Sequence, residues 1–271
     1  MPELPEVEVT LRGLQIPLQN QTIQKFVIRR PNLRWPIPKQ ELQQLIGLTI
    51  NQLTRRGKYL CLVTAQASII IHLGMSGRLR ILDSSVTPEK YDHIDILFKN
   101  DTLLRFTDPR RFGAFLYTSG DPQHHVLLKN LGVEPLNREF SAQYLKQQLA
   151  NKQLPIKSAI MDQRIIVGVG NIYATEALFT AGINPLRPAN SLLLSDLKRL
   201  VGAIKSILQV AIQQGGSSLK DFLNSEGKPG YFSQQLNVYG RGGLPCLQCQ
   251  ALLQLSRINL RTSVYCQQCQ K

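Results

Sequence analysis

The sequence predicts an α+β protein: an N-terminal helix plus a β-sandwich domain, then a helical domain built as helix, two turns and helix, ending in a hairpin finger held by four cysteines. Three observations predict it. Residues 22–118 consist mostly of short, β-branched, alternating runs; from about residue 141 the apolar spacing changes to the helical period; and four of the five cysteines fall in the last 26 residues.

The chain of 271 residues, 43% hydrophobic, is long enough to fill the cores this organisation needs. In residues 2–14, Pro5 suits a first helical turn and Val7, Leu11 and Leu14 recur at i, i+4 and i+7. A short amphipathic helix is expected there, with Gly13 leaving its end open. Strands are expected at 22–28, 58–64, 68–73, 78–82, 93–98 and 102–107, a number that fits a β-sandwich. Asn100-Asp101 reads as a hairpin turn, and Gly74 and Gly77 bracket Met75 in a loop between two strands.

Helices are expected at 141–149, 156–161, 172–181 and 194–212, with stops at Gly182 and Gly215-Gly216. Between the second and third, Val167-Gly168-Val169-Gly170-Asn171 permits tight turns, and Asn171 is placed to cap the helix that follows. Residues 217–235 are rich in Ser, Gly, Asn and Lys without either period, so they read as a mobile loop. The expected domains are 1–130, 131–236 with that loop inside it, and a finger at 237–271.

Lys and Arg number 32 against 18 Asp and Glu, a formal charge of +14. Solubility alone would be the plainer explanation, but so lopsided a charge costs self-repulsion and points to a polyanionic partner. Counterions released from nucleic-acid phosphates would supply the compensating free energy. No run of about 18 apolar residues and no basic leader with an apolar stretch is present, so neither a membrane span nor a signal peptide is read here. The expected compartment is the cytoplasm.

Cys246-x-x-Cys249 and Cys266-x-x-Cys269 are separated by 16 residues, which sets two thiolate pairs at the ends of a hairpin-sized insert. That spacing calls for one structural Zn²⁺ in a four-sulfur tetrahedron with no open position. Two separate redox dithiols are the alternative. Cys61 lies in an apolar strand and reads as a core thiol. Arg257 and Arg261 fall near the hairpin tip, and a basic tip suits a nucleic-acid groove.

Three of the 18 acidic residues, Glu3, Glu6 and Glu8, occupy the first eight positions of this basic chain. Acids at the positive end of a helix gain about 0.3–1 kcal/mol each, which accounts for their sign but not for Pro2. Removal of Met1 before a small residue leaves Pro2 with a terminal secondary amine. An α-amino group has a pKa near about 8 against about 10.4 for lysine, so it is the readier nucleophile at neutral pH. On an aldehyde-like carbon it would form an iminium ion, with Glu3 beside it to move protons.

The opening Pro-Glu-Leu-Pro-Glu-Val-Glu, Arg56-Gly57-Lys58-Tyr59-Leu60, His72-Leu73-Gly74-Met75-Ser76-Gly77, Asp108-Pro109-Arg110-Arg111-Phe112-Gly113, Val167-Gly168-Val169-Gly170-Asn171-Ile172-Tyr173-Ala174 and the four-cysteine finger run in this order over nearly the whole chain. Together they resemble formamidopyrimidine-DNA glycosylase of the bacterial type. The resemblance implies a bifunctional glycosylase and AP lyase of base excision repair. Such an enzyme removes oxidised purines, notably 8-oxoguanine and formamidopyrimidines, from duplex DNA and then carries out β- and δ-elimination.

On matching positions, the resemblance makes Pro2 the Schiff-base nucleophile, Glu3 the acid that assists sugar opening, Lys58 the proton donor for β-elimination, Arg261 the residue linked to δ-elimination and Glu6 a support of the site. Met75, Arg110 and Phe112 would fill the gap left by the extruded nucleotide, with Arg110 facing the orphaned base. Asn171, Lys152 and Lys157 would lie on the DNA backbone track, although as surface lysines the last two could equally be only solvated. Tyr91 stands where the family often carries a histidine that touches DNA; it can donate to a phosphate but cannot become cationic. One lesion needs one active site, so a monomer is expected.

Two other readings remain. An enzyme for oxidised pyrimidines resembling endonuclease VIII is disfavoured by Leu4 and by the Arg110-Arg111-Phe112 loop. A non-enzymatic zinc-dependent DNA-binding regulator would leave Pro2 and Glu3 unexplained.

Overall fold

Helix α1 (Leu4–Leu18) opens the chain in the computed structural model, which describes residues 2–217 and 231–271. It continues past Leu14 because Leu14 and Leu18, both fully buried, extend the stripe that Val7 and Leu11 begin. Gly13 does not break it. Pro17 sits in its last turn, where a missing N–H forfeits only one intrahelical bond.

Eight strands follow: β1 (Ile23–Ile28), β2 (Gln52–Arg56), β3 (Tyr59–Val63), β4 (Ala67–His72), β5 (Arg78–Asp83), β6 (Asp92–Phe98), β7 (Thr102–Thr107) and β8 (Ala114–Ser119). A short helix, α2 (Lys39–Gln43), falls between the first two. They form two antiparallel four-stranded sheets, ordered β1-β6-β7-β5 and β2-β3-β4-β8. Leu60, Leu62, Ile69, Ile71 and Phe115 from one sheet, Ile94, Ile96, Leu104 and Phe106 from the other, and the apolar face of α1 share one core. The β-sandwich expected from the alternating runs is therefore present. The β6–β7 hairpin turns at Lys99 to Asp101, with Asp101 at φ +63°.

The strands β2 and β8 are not among those read from the sequence, and both lie at sheet edges. In β2 only Leu53 is buried, so Gln52, Thr54, Arg55 and Arg56 hide its alternation. An edge strand has only one neighbour and tolerates such polar side chains.

The second half carries α3 (Ala142–Leu149), α4 (Ile156–Ile160), α5 (Asn171–Thr180) and α6 (Leu194–Gln213), close to the helices expected from periodicity. Between α4 and α5 the side chain of Gln163 accepts from the Gly168 N–H at 2.8 Å and donates to the Val169 carbonyl at 3.2 Å. Those bonds hold the two turns, with Gly168 at φ +83°. The end of α5 falls where Gly182 predicts it: the Gly182 N–H bonds the Phe179 carbonyl and the Ile183 N–H bonds the Leu178 carbonyl, the paired bonds of a glycine-stopped helix. Asn171 does not cap α5. It is the first helical residue, and Gly170, with extended backbone, is the cap.

The finger is the antiparallel hairpin β9 (Gln254–Ile258) and β10 (Arg261–Tyr265) between the cysteine pairs. The chain divides into two compact units, Met1–Lys129 with Gln214–Tyr231, and Asn130–Gln213 with Phe232–Lys271. The finger thus groups with the helices, while 214–231 groups with the sandwich. Of the loop expected at 217–235, residues 218–230 lie outside the described residues. Ser217 and Tyr231 form an antiparallel bridge, and Phe232–Gln235 is a short 3-10 helix, a departure from the expected loop. Phe232 accounts for that departure, being buried with its ring 5.6 Å from that of Tyr173.

Candidate functional site

At the N-terminus, Pro2 is buried and is followed by two nearly inaccessible carboxylates, Glu3 (2% exposed) and Glu6 (1%). The Glu3 N–H donates to Glu6 Oε2 at 2.7 Å, and the Ser217 N–H and hydroxyl donate to Glu6 Oε1 at 2.8 and 3.0 Å. Glu6 therefore fixes the entry to α1 and a second segment of the same unit. Gly216, at φ +82°, leaves room for this approach, since a Cβ there would lie 3.1 Å from the Glu6 carboxylate. Glu8 has a different task. Burial raises its pKa, but hydrogen bonds from Arg55 and Arg12 outweigh that and hold it below the ordinary carboxylate value.

Lys58 was expected to begin a strand; instead it occupies the two-residue turn between β2 and β3, where Arg56 pairs with Tyr59. Gly57, at φ +55°, is the left-handed residue that lets the hairpin close so tightly. Lys58 is buried at the tip. Its charge is felt by His72, whose pKa is lowered to about 4 by burial first, then by Lys58 and Arg34. The neutral ring packs 4.8 Å from that of Tyr59 and accepts the Gly74 N–H on Nδ1 at 3.0 Å.

Met75 and the Arg110 to Phe112 loop come together through polar ties rather than core packing. Ser76 Oγ donates to Asp108 Oδ1 at 2.7 Å and accepts the Arg110 N–H at 3.1 Å, while Asp108 Oδ2 accepts the Gly113 N–H at 2.8 Å. Gly74 lies against the other loop so closely that a Cβ would sit 2.4 Å from the Phe112 carbonyl carbon. Met75 stays half-buried and Phe112 is 48% exposed, with the Arg110 guanidinium 5.2 Å above its ring. Ser76 and Asp108 were not singled out by sequence reasoning. A serine next to a glycine in a glycine-bounded loop and an aspartate directly after a strand were the available signals.

Tyr91 is 41% exposed with Lys90 over its ring, as a surface contact residue would be. His93, by contrast, is buried, and its Nε2–H donates to the Asp108 carbonyl at 2.8 Å. It ties β6 to the loop that begins at Asp108.

In the helical unit, Lys157 is not a surface lysine: it is 1% exposed, and its ammonium donates to Ser263 Oγ at 2.7 Å and to the Thr262 carbonyl at 3.4 Å. Asn171 Nδ2 donates to that same carbonyl at 3.2 Å, while its buried Oδ1 has no partner among the described residues. Lys157, Asn171 and Arg261 are thus gathered around the start of β10, and Lys157 and Arg261 line one cavity of about 190 Å³. Lys152 is half-buried and is not part of this group.

Glu176 is another residue that sequence reasoning missed. Its carboxylate accepts the N–H groups of Asn237, Val238 and Tyr239 at 2.7–2.9 Å, binding α5 to the segment that leads into the finger. A lone acid among the apolar residues of α5 was the signal.

The sulfurs of Cys246, Cys249, Cys266 and Cys269 all lie within 4.8 Å of one another. The Cys246–Cys269 and Cys249–Cys266 separations are 4.0 and 3.4 Å. A tetrahedral ion with metal–sulfur bonds of about 2.3 Å needs sulfurs about 3.8 Å apart, so the four sulfurs already surround a site of the size one ion needs.

Two family models match the chain: the formamidopyrimidine-DNA glycosylase N-terminal domain at residues 1–115 and the formamidopyrimidine-DNA glycosylase H2TH domain at residues 131–223. The formamidopyrimidine-DNA glycosylase of Hydrogenovibrio crunogenus is 52% identical over 271 residues, covering 100% of this chain and 97% of that protein. Among solved structures, a mutant Lactococcus lactis FPG in complex with Fapy-dG containing DNA matches at a TM-score of 0.92 and 33% identity, covering 100% of both chains. The Lactococcus lactis Fpg bound to abasic site containing DNA matches at 0.90 and 33%, covering 99% of each.

Proposed function

Since the chain belongs to the formamidopyrimidine-DNA glycosylase family, we propose that it is a bifunctional glycosylase and AP lyase that removes 8-oxoguanine and formamidopyrimidines from duplex DNA. The observation that carries this reading is a buried Pro2 with the buried carboxyl of Glu3 next to it in the chain, a nucleophile and an acid for which a DNA-binding regulator has no use. The lone pair of the Pro2 amine attacks C1′, and the bond from C1′ to the base breaks with its electrons leaving on the base, which takes up the proton that the amine nitrogen gives up. Glu3 supplies a proton to the ring oxygen as the sugar opens, so that the amine and C1′ become an iminium ion.

That cation is an electron sink. Loss of a C2′ proton expels the 3′ phosphate, loss of a C4′ proton then expels the 5′ phosphate, and water hydrolyses the iminium to free the Pro2 amine, leaving a one-nucleotide gap. Lys58 serves as proton donor in the first elimination and Arg261 assists the second. Glu6 supports Glu3 through its bond to the Glu3 N–H. Met75, Arg110 and Phe112 occupy the space the extruded nucleotide leaves, and Tyr91, Lys152 and Asn171 touch the DNA backbone. Lys157 acts through Ser263 by holding the start of β10. Zinc is the ion that suits four thiolates, and it would hold the hairpin rather than activate water. The protein works as a monomer in the bacterial cytoplasm.

Borohydride trapping tests the mechanism. Wild-type protein lacking Met1, checked by intact mass, is expected to form a covalent complex with an 8-oxoguanine duplex, and Pro2→Gly to form far less. No trapped species with the wild type would sink the reading. Excision from 8-oxoguanine compared with thymine glycol duplexes separates the purine enzyme from one for pyrimidines.

A further inference from the structure

Within the N-terminal unit a groove of about 770 Å³ runs along Arg29 to Arg34 and is bounded by Arg110, Arg111 and Phe112. Pro31, Leu33 and Phe112 give it apolar lining, and five arginines give it charge. Among the described residues, Arg29 is the one of the five that is neutralised, by Asp95. Among the described residues no carboxylate pairs with Arg30, Arg34, Arg110 or Arg111.

The groove is built, not incidental. The Arg34 N–H donates to the Gly113 carbonyl at 3.1 Å, joining the arginine segment to the loop that carries Phe112, and an Asn32–Pro36 bridge closes the segment on itself. The Arg34 guanidinium lies 4.5 Å from the Trp35 ring centroid, which orients its planar fork without cancelling its charge. Four such cations in one groove repel each other unless a polyanion arrives. A chain of phosphates joined by apolar sugars matches both the charge and the lining.

We propose that this groove seats the sugar–phosphate backbone of duplex DNA beside the gap-filling residues Arg110 and Phe112, with Arg30 and Arg34 each neutralising a phosphate. The proposal rests on the DNA-repair reading and adds an interaction that is blind to damage, because phosphates carry no base information.

The test is a salt titration of binding by fluorescence anisotropy, using an undamaged duplex and the same duplex with one abasic analogue, at about 50 to about 200 mM salt. Each phosphate that is no longer neutralised lowers the slope of log K against log salt by about 0.9, so Arg30→Ala/Arg34→Ala is expected to reduce it by about 1.8 on both duplexes. Arg30→Lys/Arg34→Lys should keep the wild-type slope, since an ammonium also displaces a counterion. Arg30→Ala alone, at an exposed position that leaves the Arg34–Trp35 stack intact, should reduce the slope by about 0.9 and covers the case of a poorly folded double variant. A wild-type slope in the alanine variants overturns the proposal, as does a reduction confined to the damaged duplex. Failure of the repair reading itself shows separately, as absence of borohydride trapping by the wild-type protein.

Discussion

Glu6 is an inaccessible carboxylate with both oxygens occupied, one by the Glu3 N–H and the other by Ser217. Glu6→Gln keeps the shape but turns an amide donor towards an N–H. The expected cost is about 1–3 kcal/mol, read from the urea midpoint, and an unchanged midpoint would contradict this accounting. His72 tests electrostatics at the same scale. Its folded pKa is lowered to about 4 by burial, Lys58 and Arg34, and the Gly74 N–H on Nδ1 also favours the neutral ring. An unfolded histidine titrates near about 6.5, so between there and the folded value the unfolded chain takes up the proton first. This contribution to stability is complete above about pH 6.5, falls as pH drops towards about 4 and is flat below that for this group. His72→Gln, neutral throughout, should flatten that part of the stability curve measured by chemical denaturation; retention of the wild-type slope would refute the assignment.

At the scale of elements, β6 and β7 carry a buried charge cluster that places exposed loops. Arg105, 2% exposed, binds both Asp95 oxygens at 2.8 and 2.9 Å and donates to the carbonyls of Val86 and Thr87. Asp92 accepts the Glu89 N–H at 2.8 Å, so the segment ending in Tyr91 is pinned from beneath. Burial pushes both carboxyls up, but the Thr107 hydroxyl at Asp92 and the Arg105 guanidinium at Asp95 are the leading groups that hold them below the ordinary value. Arg105→Met removes the most deeply buried cation of the cluster, leaving Asp95 with Arg29 and Asp92 with Arg80, which bonds Asp92 Oδ1 at 2.8 Å. A loss of about 3–5 kcal/mol is expected, together with faster proteolysis in residues 84–91. Stability within about 1 kcal/mol of wild type would show that Arg29 and Arg80 suffice to hold the cluster.

For the whole molecule, the four-cysteine cluster decides whether the finger exists. Its apolar support is small, chiefly Phe179, Val238, Leu253 and Val264, so a metal bound by the four thiolates would supply much of its folding free energy. One zinc per chain is expected by native mass spectrometry. Stripping it should release the partners of Lys157 and Asn171 at Thr262 and Ser263 and weaken DNA binding by more than about tenfold. A metal-free protein with wild-type affinity would remove the finger from the binding account.

The sequence by itself determined the sandwich, the helix-two-turns-helix and the four-cysteine cluster, because each is written in local terms: a period, a glycine stop, a cysteine spacing. It also pointed to Pro2, Lys58 and Arg261 through strings that resemble a family. Only the tertiary structure decided that Lys58 sits in a turn, that Lys157 is buried, that Gly170 caps α5 and that His93 ties β6 to the Asp108 loop. The edge strand β2 and the anchors Ser76, Asp108 and Glu176 were equally out of reach. These depend on partners distant in the chain, such as Ser263 for Lys157, Asp108 for His93 and residues 237–239 for Glu176, and no local pattern encodes which buried polar group will meet which.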